Sequence, residues 1–302
     1  MQDRINQEIK RWEPWGHLRQ LVDLVQAWRD SVPRRPLYVV IFKSRQVGAT
    51  STIAAIATWL LHFHESTKVE FQSEGQEEAG EVISRIRFIN SLHPEFLKLS
   101  YMPDQWDKIG APATNGIMVA MSSTESKGRT SDATCVVCDE WERHEYAREG
   151  FASVKPAMAR GGIFIGASTW KKTQDGTFAK EIWRGALQSK NGFVPLFWDY
   201  FTVPGRTDTT WQRDIQGLPL WMAEGEFPRN QAEMERQPAS IGVFRHEVLE
   251  RMLQDCRDPL DIRYDGQLRI WRPAITNRHF VMAIDPAGTD IGGSEDPLCC
   301  IV

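Results

Sequence analysis

Several groups of residues in this chain have the types and spacing to handle a phosphate, beginning with Lys43-Ser44-Arg45-Gln46-Val47-Gly48-Ala49-Thr50-Ser51. The apolar, β-branched run from Leu37 to Phe42 precedes them and a helical pattern follows. A strand that ends in a tight loop and feeds a helix aims backbone N–H groups and the positive end of the helix dipole at one point, which suits an anion. Thr50 or Ser51, at the helix start, could hold magnesium through a hydroxyl. Against the pattern G-x-x-x-x-G-K-[ST], Gly48 and Thr50 fall in place, while Ala49 stands where the lysine belongs and Lys43 where the first glycine belongs. Lys43 could therefore reach the phosphates from the front of the loop, with Arg45 as a second cation. Taken alone, the stretch also reads as an ordinary strand-to-helix turn.

Downstream residues bear on that choice. The run Ala133-Thr-Cys-Val-Val-Cys-Asp139-Glu140-Trp141 is an apolar strand that stops on two carboxylates. Ionised groups at the end of a buried strand need a cation, a partner or solvent. Beside a phosphate loop, Asp139 would bind magnesium and Glu140 would polarise an attacking water; two solvated acids are the plainer reading. Gly161 to Trp170 is a further strand, ending in Ser168 and Thr169, whose hydroxyls could sense a terminal phosphate. Arg129, in the polar loop Ser122 to Thr130, is either a surface charge or an arginine finger acting in its own subunit or a neighbour. Trp15 and Gln20 could pack and hydrogen-bond an adenine, or simply belong to core and surface.

The elements that must position these groups alternate. Helical spacing marks residues 1 to 30, Thr52 to His64 and Gln76 to Ser91, and strands are expected at Lys68–Gln72 and Asn115–Met121. Alternation of this kind predicts an α/β fold with a parallel sheet covered on both faces, and ligands gather at the carboxyl ends of such strands. The expected organisation is a helical, adenine-side segment over 1–35, an ATPase core over 36–203, a Pro- and Trp-rich linker subdomain over 204–270, and the first strands of another domain over 271–302. Those last strands include Arg278 to Asp285, ending on an aspartate, and an apolar run at 297–302 in which the sequence stops, as a fragment would.

Composition narrows the classes. With 41% apolar and 25% charged residues, the chain has the balance of a soluble globular protein, and no apolar run reaches the length of a membrane span. A cytosolic location is expected, with the five cysteines as thiols, mostly buried; Cys135-x-x-Cys138 lies along a strand and lacks a second pair. The net charge of −4 argues against a surface basic throughout, yet leaves room for a local DNA track. Lys171, Lys172, Lys180, Arg184 and Lys190, interleaved with Trp170, Phe178 and Trp183, would suit a nucleic-acid backbone or an ordinary solvated helix face.

In order, these blocks resemble the large subunit of the terminase of tailed bacteriophages. The matching pieces are Ser44 to Thr50 as a Walker A variant, Val136 to Glu140 as Walker B, Gly166-Ala-Ser168-Thr169-Trp as the coupling motif, the Lys127-Gly128-Arg129 loop, Glu226-Phe227-Pro228, and Ala283 to Gly288 at the start of an RNase H-like nuclease. The resemblance implies a P-loop NTPase fold of the RecA/ASCE kind and an ATPase that drives double-stranded DNA into a preformed capsid. It implies ATP and magnesium as cofactors, with Lys43, Ser44, Arg45, Gln46, Gly48, Thr50 and Ser51 holding the nucleotide beside Trp15 and Gln20. Thr50 and Asp139 would hold magnesium, Glu140 the water, and Ser168 and Thr169 would couple hydrolysis to movement. Asp285 would be the first ligand of a two-metal nuclease whose other carboxylates lie beyond Val302, so this chain is not expected to cut DNA. Partners implied are the portal protein, the small terminase subunit and further copies in a ring on the portal, in the host cytoplasm and with no membrane. Some terminases are similar in carrying the lysine at the front of the loop.

Overall fold

The computed structural model describes residues 14–123, 132–174, 176–237, 251–252, 255–264 and 268–271, and places short strands at 2–3, 8–9, 283–285 and 299–301. The chain divides into two compact units, Met1–Ile241 and Gly242–Val302.

In the larger unit β1 (Gln2–Asp3) pairs antiparallel with β2 (Glu8–Ile9), and helix α1 spans Gly16–Asp30. The helical pattern expected within residues 1 to 30, opening over Glu13 to Gln20, is α1. Pro14 disfavours helical backbone in the residue before it, and the buried stripe Leu18, Leu21, Val25, Trp28 starts only beyond it. There follow β3 (Leu37–Lys43), α2 (Ala49–Phe63), β4 (Lys68–Ser73), α3 (Gln76–Ser91), β5 (Asp104–Gln105), β6 (Lys108–Ala111), β7 (Gly116–Ser122), β8 (Cys135–Asp139), α4 (Ala147–Ala159), β9 (Ile163–Ser168), α5 (Phe178–Leu187) and β10 (Phe193–Trp198). Helices α6 (Asp208–Asp214), α7 (Leu220–Glu226) and α8 (Gln231–Glu235) complete the unit, so much of the expected linker region packs within it.

One eight-stranded sheet organises these elements, in the order β10-β3-β9-β8-β4-β7-β6-β5. Strands β10, β3, β9, β8, β4 and β7 are parallel, and β6 and β5 return antiparallel at one edge. Every residue of β8 and β9 is buried, which is why both read as unbroken apolar runs rather than alternating ones. Val39 and Ile41 face a core shared with α1, α2 and α3; Val40 and Phe42 face the opposite one, with Phe151, Phe164 and Trp183. This is the expected α/β architecture, a largely parallel sheet covered on both faces, and the strand ending in Ser168 lies between the loop strand β3 and the acid strand β8.

Two differences from the sequence reading have plain causes. Helix α2 begins at Ala49 rather than Thr52, because Gly48 takes a left-handed φ of 83° and caps it at once. Strand β10 went unread: Pro195 argues against a central strand, and β10 is an edge strand, where a missing N–H is tolerated.

In the smaller unit β11 (Asp261–Arg263) pairs antiparallel with β12 (Leu268–Ile270), and β13 (Ala283–Asp285) with β14 (Cys299–Ile301). Asp285 stands opposite Cys299 in the register of the latter pair.

Candidate active site

The parallel sheet brings the ends of β10, β3, β9 and β8 to one edge. Trp198 stands beside Lys43, Phe42 beside Ser168, and Ala167 beside Asp139. From Ser44 the chain turns through two left-handed residues, Gln46 at φ 57° and Gly48, into α2. A loop of this conformation ahead of a 15-residue helix forms a concavity of backbone N–H groups, the shape that holds phosphate.

Around that loop the polar side chains converge in pairs. Lys43 Nζ lies 3.2 Å from Glu140 Oε1. Thr50 donates its hydroxyl to Asp139 Oδ2 at 2.8 Å. Ser168 Oγ, the Thr169 N–H and Thr169 Oγ1 face Glu140 Oε2 at 3.4, 3.4 and 3.5 Å. Burial works to discharge Lys43, but the Glu140 and Asp139 carboxylates outweigh it and raise its pKa. Burial likewise pushes Glu140 up, but Lys43, Arg143 and the Thr169 N–H together outweigh it, so Glu140 titrates below the usual range. Glu140 also holds a left-handed backbone, φ 50°, a conformation that costs a non-glycine residue about 1–3 kcal/mol and clusters at functional positions.

The other named residues are placed as follows. Arg45 ion-pairs with Glu226, and its N–H donates to the Glu226 carbonyl at 2.8 Å. Ser51 accepts a hydrogen bond from Arg85 at 3.1 Å, on the helix flank rather than at the loop. Ser44 is fully buried. Trp15 is half-buried with its ring 5.8 Å from that of His17, and Gln20 accepts from Trp198 Nε1 at 3.3 Å. Arg129 lies outside the described residues, as does the side chain of Asp285. Cys135 and Cys138 are free, buried thiols whose pKa values burial raises, Cys135 to about 12.

Several participants carried no sequence signal. Arg143 reaches Glu226 at 3.1 Å and Glu140 at 3.7 Å, so its guanidinium links the acid strand to the end of α7. Its place three residues after Glu140 hinted at nothing, since that spacing only matters once the chain turns helical there. The His144 ring bonds the Asp139 carbonyl at 2.9 Å, and burial keeps its pKa below that of a free imidazole. The basic stretch is not a wholly solvated face. Lys172 and Lys180 are buried, Lys180 against Glu142 at 2.9 Å and Lys172 near Glu224 at 3.5 Å, because each ammonium finds a carboxylate and backbone carbonyls inside.

No family profile matches the sequence, and no curated protein does. Solved structures do. The large terminase of a thermophilic bacteriophage superposes with a TM-score of 0.56 at 9% identity, over 72% of this chain and 54% of its own. The large terminase ATPase domain of Thermus phage P74-26 gives 0.53 at 13% identity, over 73% of this chain and 99% of that domain. The chain has the fold of a large-terminase ATPase domain. The HK97 bacteriophage large terminase, at 17% identity and a TM-score of 0.50, is covered over 49% of its length, so the chain spans about half of the longer terminases it matches. The first of these terminases has also been solved with ADP and with ATP-gamma-S.

Proposed function

We propose that this chain is the ATP-hydrolysing motor portion of a viral large terminase, translocating double-stranded DNA into a procapsid. The observation that carries the proposal is the pairing at the sheet edge, Thr50 with Asp139 at 2.8 Å and Lys43 with Glu140 at 3.2 Å, beside a loop of open N–H groups. A hydroxyl and a carboxylate in contact are hard oxygen donors on neighbouring elements, and they fit magnesium, which takes one or two protein oxygens and keeps its waters. Bound there with ATP, the ion would neutralise phosphate charge. Lys43 takes the β/γ-phosphates as a point charge from the front of the loop, the task Ala49 cannot perform. Glu140, ionised and released from Lys43 by the incoming phosphates, orients and polarises a water for in-line attack. Ser168 and Thr169, which face the same carboxylate, register its departure and pass the change to the loop beyond β9. The adenine lies toward Trp15 and Gln20, and Arg129 supplies charge at the transferring phosphoryl group.

On this reading residues 36–203 are the ATPase core with its 1–35 adenine side, 204–270 a linker, and 271–302 the opening strands of a nuclease in which Asp285 binds the first of two metals. Portal protein, small terminase subunit and further copies of the chain are its partners at the procapsid in the host cytoplasm. Among the described residues no helix is long and apolar enough to cross a membrane.

Steady-state hydrolysis of ATP with magnesium, with and without DNA, tests the proposal on the parent, Lys43→Ala and Glu140→Ala, after nucleotide binding to each is measured. Turnover by the parent alone supports it. A parent that binds nucleotide without hydrolysing it, DNA present, points instead to a silent packaging scaffold.

A further inference from the structure

The phosphate loop is held from behind by two side chains outside it. Arg206, between β10 and α6, donates from Nη1 and Nη2 to the Arg45 carbonyl at 3.2 and 3.3 Å, and from Nη2 to the Gln46 carbonyl at 3.3 Å. The His17 ring, near the start of α1, bonds the Val47 carbonyl through Nε2 at 2.8 Å. A carbonyl only accepts, so Nε2 carries the proton. Three consecutive carbonyls, 45 to 47, are therefore engaged by cationic or N–H donors from segments far apart in sequence.

A trans peptide is planar, so each carbonyl points opposite to the N–H of the next residue. Holding the carbonyls of 45, 46 and 47 turns the N–H groups of Gln46, Val47 and Gly48 the other way, and among the described residues none of the three donates to a backbone acceptor. We infer that Arg206 and His17 are positioning residues that preset this N–H concavity for the anionic phosphates of a nucleotide, an inference that rests on the nucleotide reading above. Arg206 is itself fixed: its guanidinium lies 4.4 Å over the ring of buried Tyr200, whose hydroxyl bonds Thr210 at 3.0 Å and Asp214 at 2.7 Å. The clamp thus ties the phosphate loop to the first turn of the linker, and any ligand that orders the loop favours that placement of Arg206 by the same free energy.

The test compares Arg206→Gln and Arg206→Lys with the parent by two readouts. Amide exchange at Ser44 and Arg45, whose N–H groups donate to Trp198 and Glu226 carbonyls, reports loop opening without any ligand. Arg206→Gln should speed it by about tenfold, since charge-assisted hydrogen bonds are lost. Nucleotide titration should show ATP and ADP weakened alike, by about tenfold to a hundredfold, with kcat at saturating ATP little changed, because the N–H groups bind ground state and transition state together. Arg206→Lys keeps the charge but cannot span two carbonyls, and should recover only part of the loss. Tyr200→Phe loosens the linker cluster while leaving the Arg206 donors in place, and its nucleotide affinity should stay near the parent's. Unchanged exchange at Ser44 and Arg45 in Arg206→Gln overturns the inference, as does a Tyr200→Phe loss equal to that of Arg206→Gln. A parent that binds no nucleotide removes the functional reading above, while the exchange rates still judge the clamp.

Discussion

Two lysine–glutamate pairs start from carboxylates two residues apart, and they do opposite work. Lys180 and Glu142 have side chains 2% and 0% exposed and meet at 2.9 Å; the second Glu142 oxygen accepts the Lys171 N–H at 2.9 Å, and Lys180 donates to the carbonyls of Lys171 and Gln174 under the Trp170 ring. Lys43 and Glu140 meet at 3.2 Å, but the Glu140 side chain is 30% exposed and its second oxygen has only contacts of 3.4 Å or longer. A buried pair whose ammonium also donates to two backbone carbonyls is a fastener, since exchanging partners would strand a charge. A pair open to solvent, with long contacts on one side, can trade its partner for a phosphate. The chain turns between the two pairs at Glu140 itself, whose left-handed backbone sends the two carboxylates to different surroundings.

The largest effect should separate chemistry from stability. Glu140→Gln removes the carboxylate that orients water and should lower kcat by about 10²–10⁴-fold, far more than its modest loss of stability in urea could account for. Glu142→Gln should fold less stably yet, once folded, hydrolyse ATP within a few-fold of the parent. Equal activity losses in the two variants would erase the distinction between the pairs.

Next is the fastener. Lys180→Met leaves Glu142 buried without its cation and should cost about 3–5 kcal/mol in equilibrium unfolding, against a clearly smaller loss for Lys43→Met, where Arg143 and solvent remain near Glu140. A smaller effect tests the floor beneath both pairs. A Cβ on Gly166, in β9, would come within 2.1 Å of the Trp141 ring, whose residue lies between Glu140 and Glu142. Gly166→Ala should therefore destabilise the unit by about 1–3 kcal/mol through overpacking, read in the same urea titration.

What could be read in advance divides along the same line. The apolar runs of β3, β8 and β9 and the residues at their ends were legible, because a strand buried on both faces announces itself and polar residues at its end have few packing reasons to be there. Lys43, Thr50, Asp139, Glu140 and Ser168 were named from that pattern, and the sheet order brings them to one edge. Arg143, His17, Arg206 and the fate of Lys172 and Lys180 were not legible. Each depends on a contact across tens of residues, such as Arg206 with Gln46, and a lysine in a polar stretch looks the same whether its carboxylate partner arrives by folding or not. Strand β10 was not anticipated; it carries Pro195, which its place at the sheet edge allows.

The subtlest prediction uses the opposite pKa shifts of the two glutamates. Burial raises Glu142, and Lys180 with the Lys171 N–H only partly offsets it; Glu140 is lowered because Lys43, Arg143 and the Thr169 N–H together outweigh burial. A carboxyl with a folded pKa below its ordinary value contributes stability above that value, lost as pH falls through the folded pKa. The advantage of the parent over Glu140→Gln should therefore shrink as pH drops below about 4.5, the ordinary glutamate value. For Glu142 the folded state binds its proton more tightly, so its contribution falls as pH rises from the ordinary value through the raised one. Stability differences between Glu142→Gln and the parent should move in the variant's favour over that window. Urea unfolding of all three proteins from acid to neutral pH reads both slopes, and slopes of the same sign would mean that the two carboxylates share one environment.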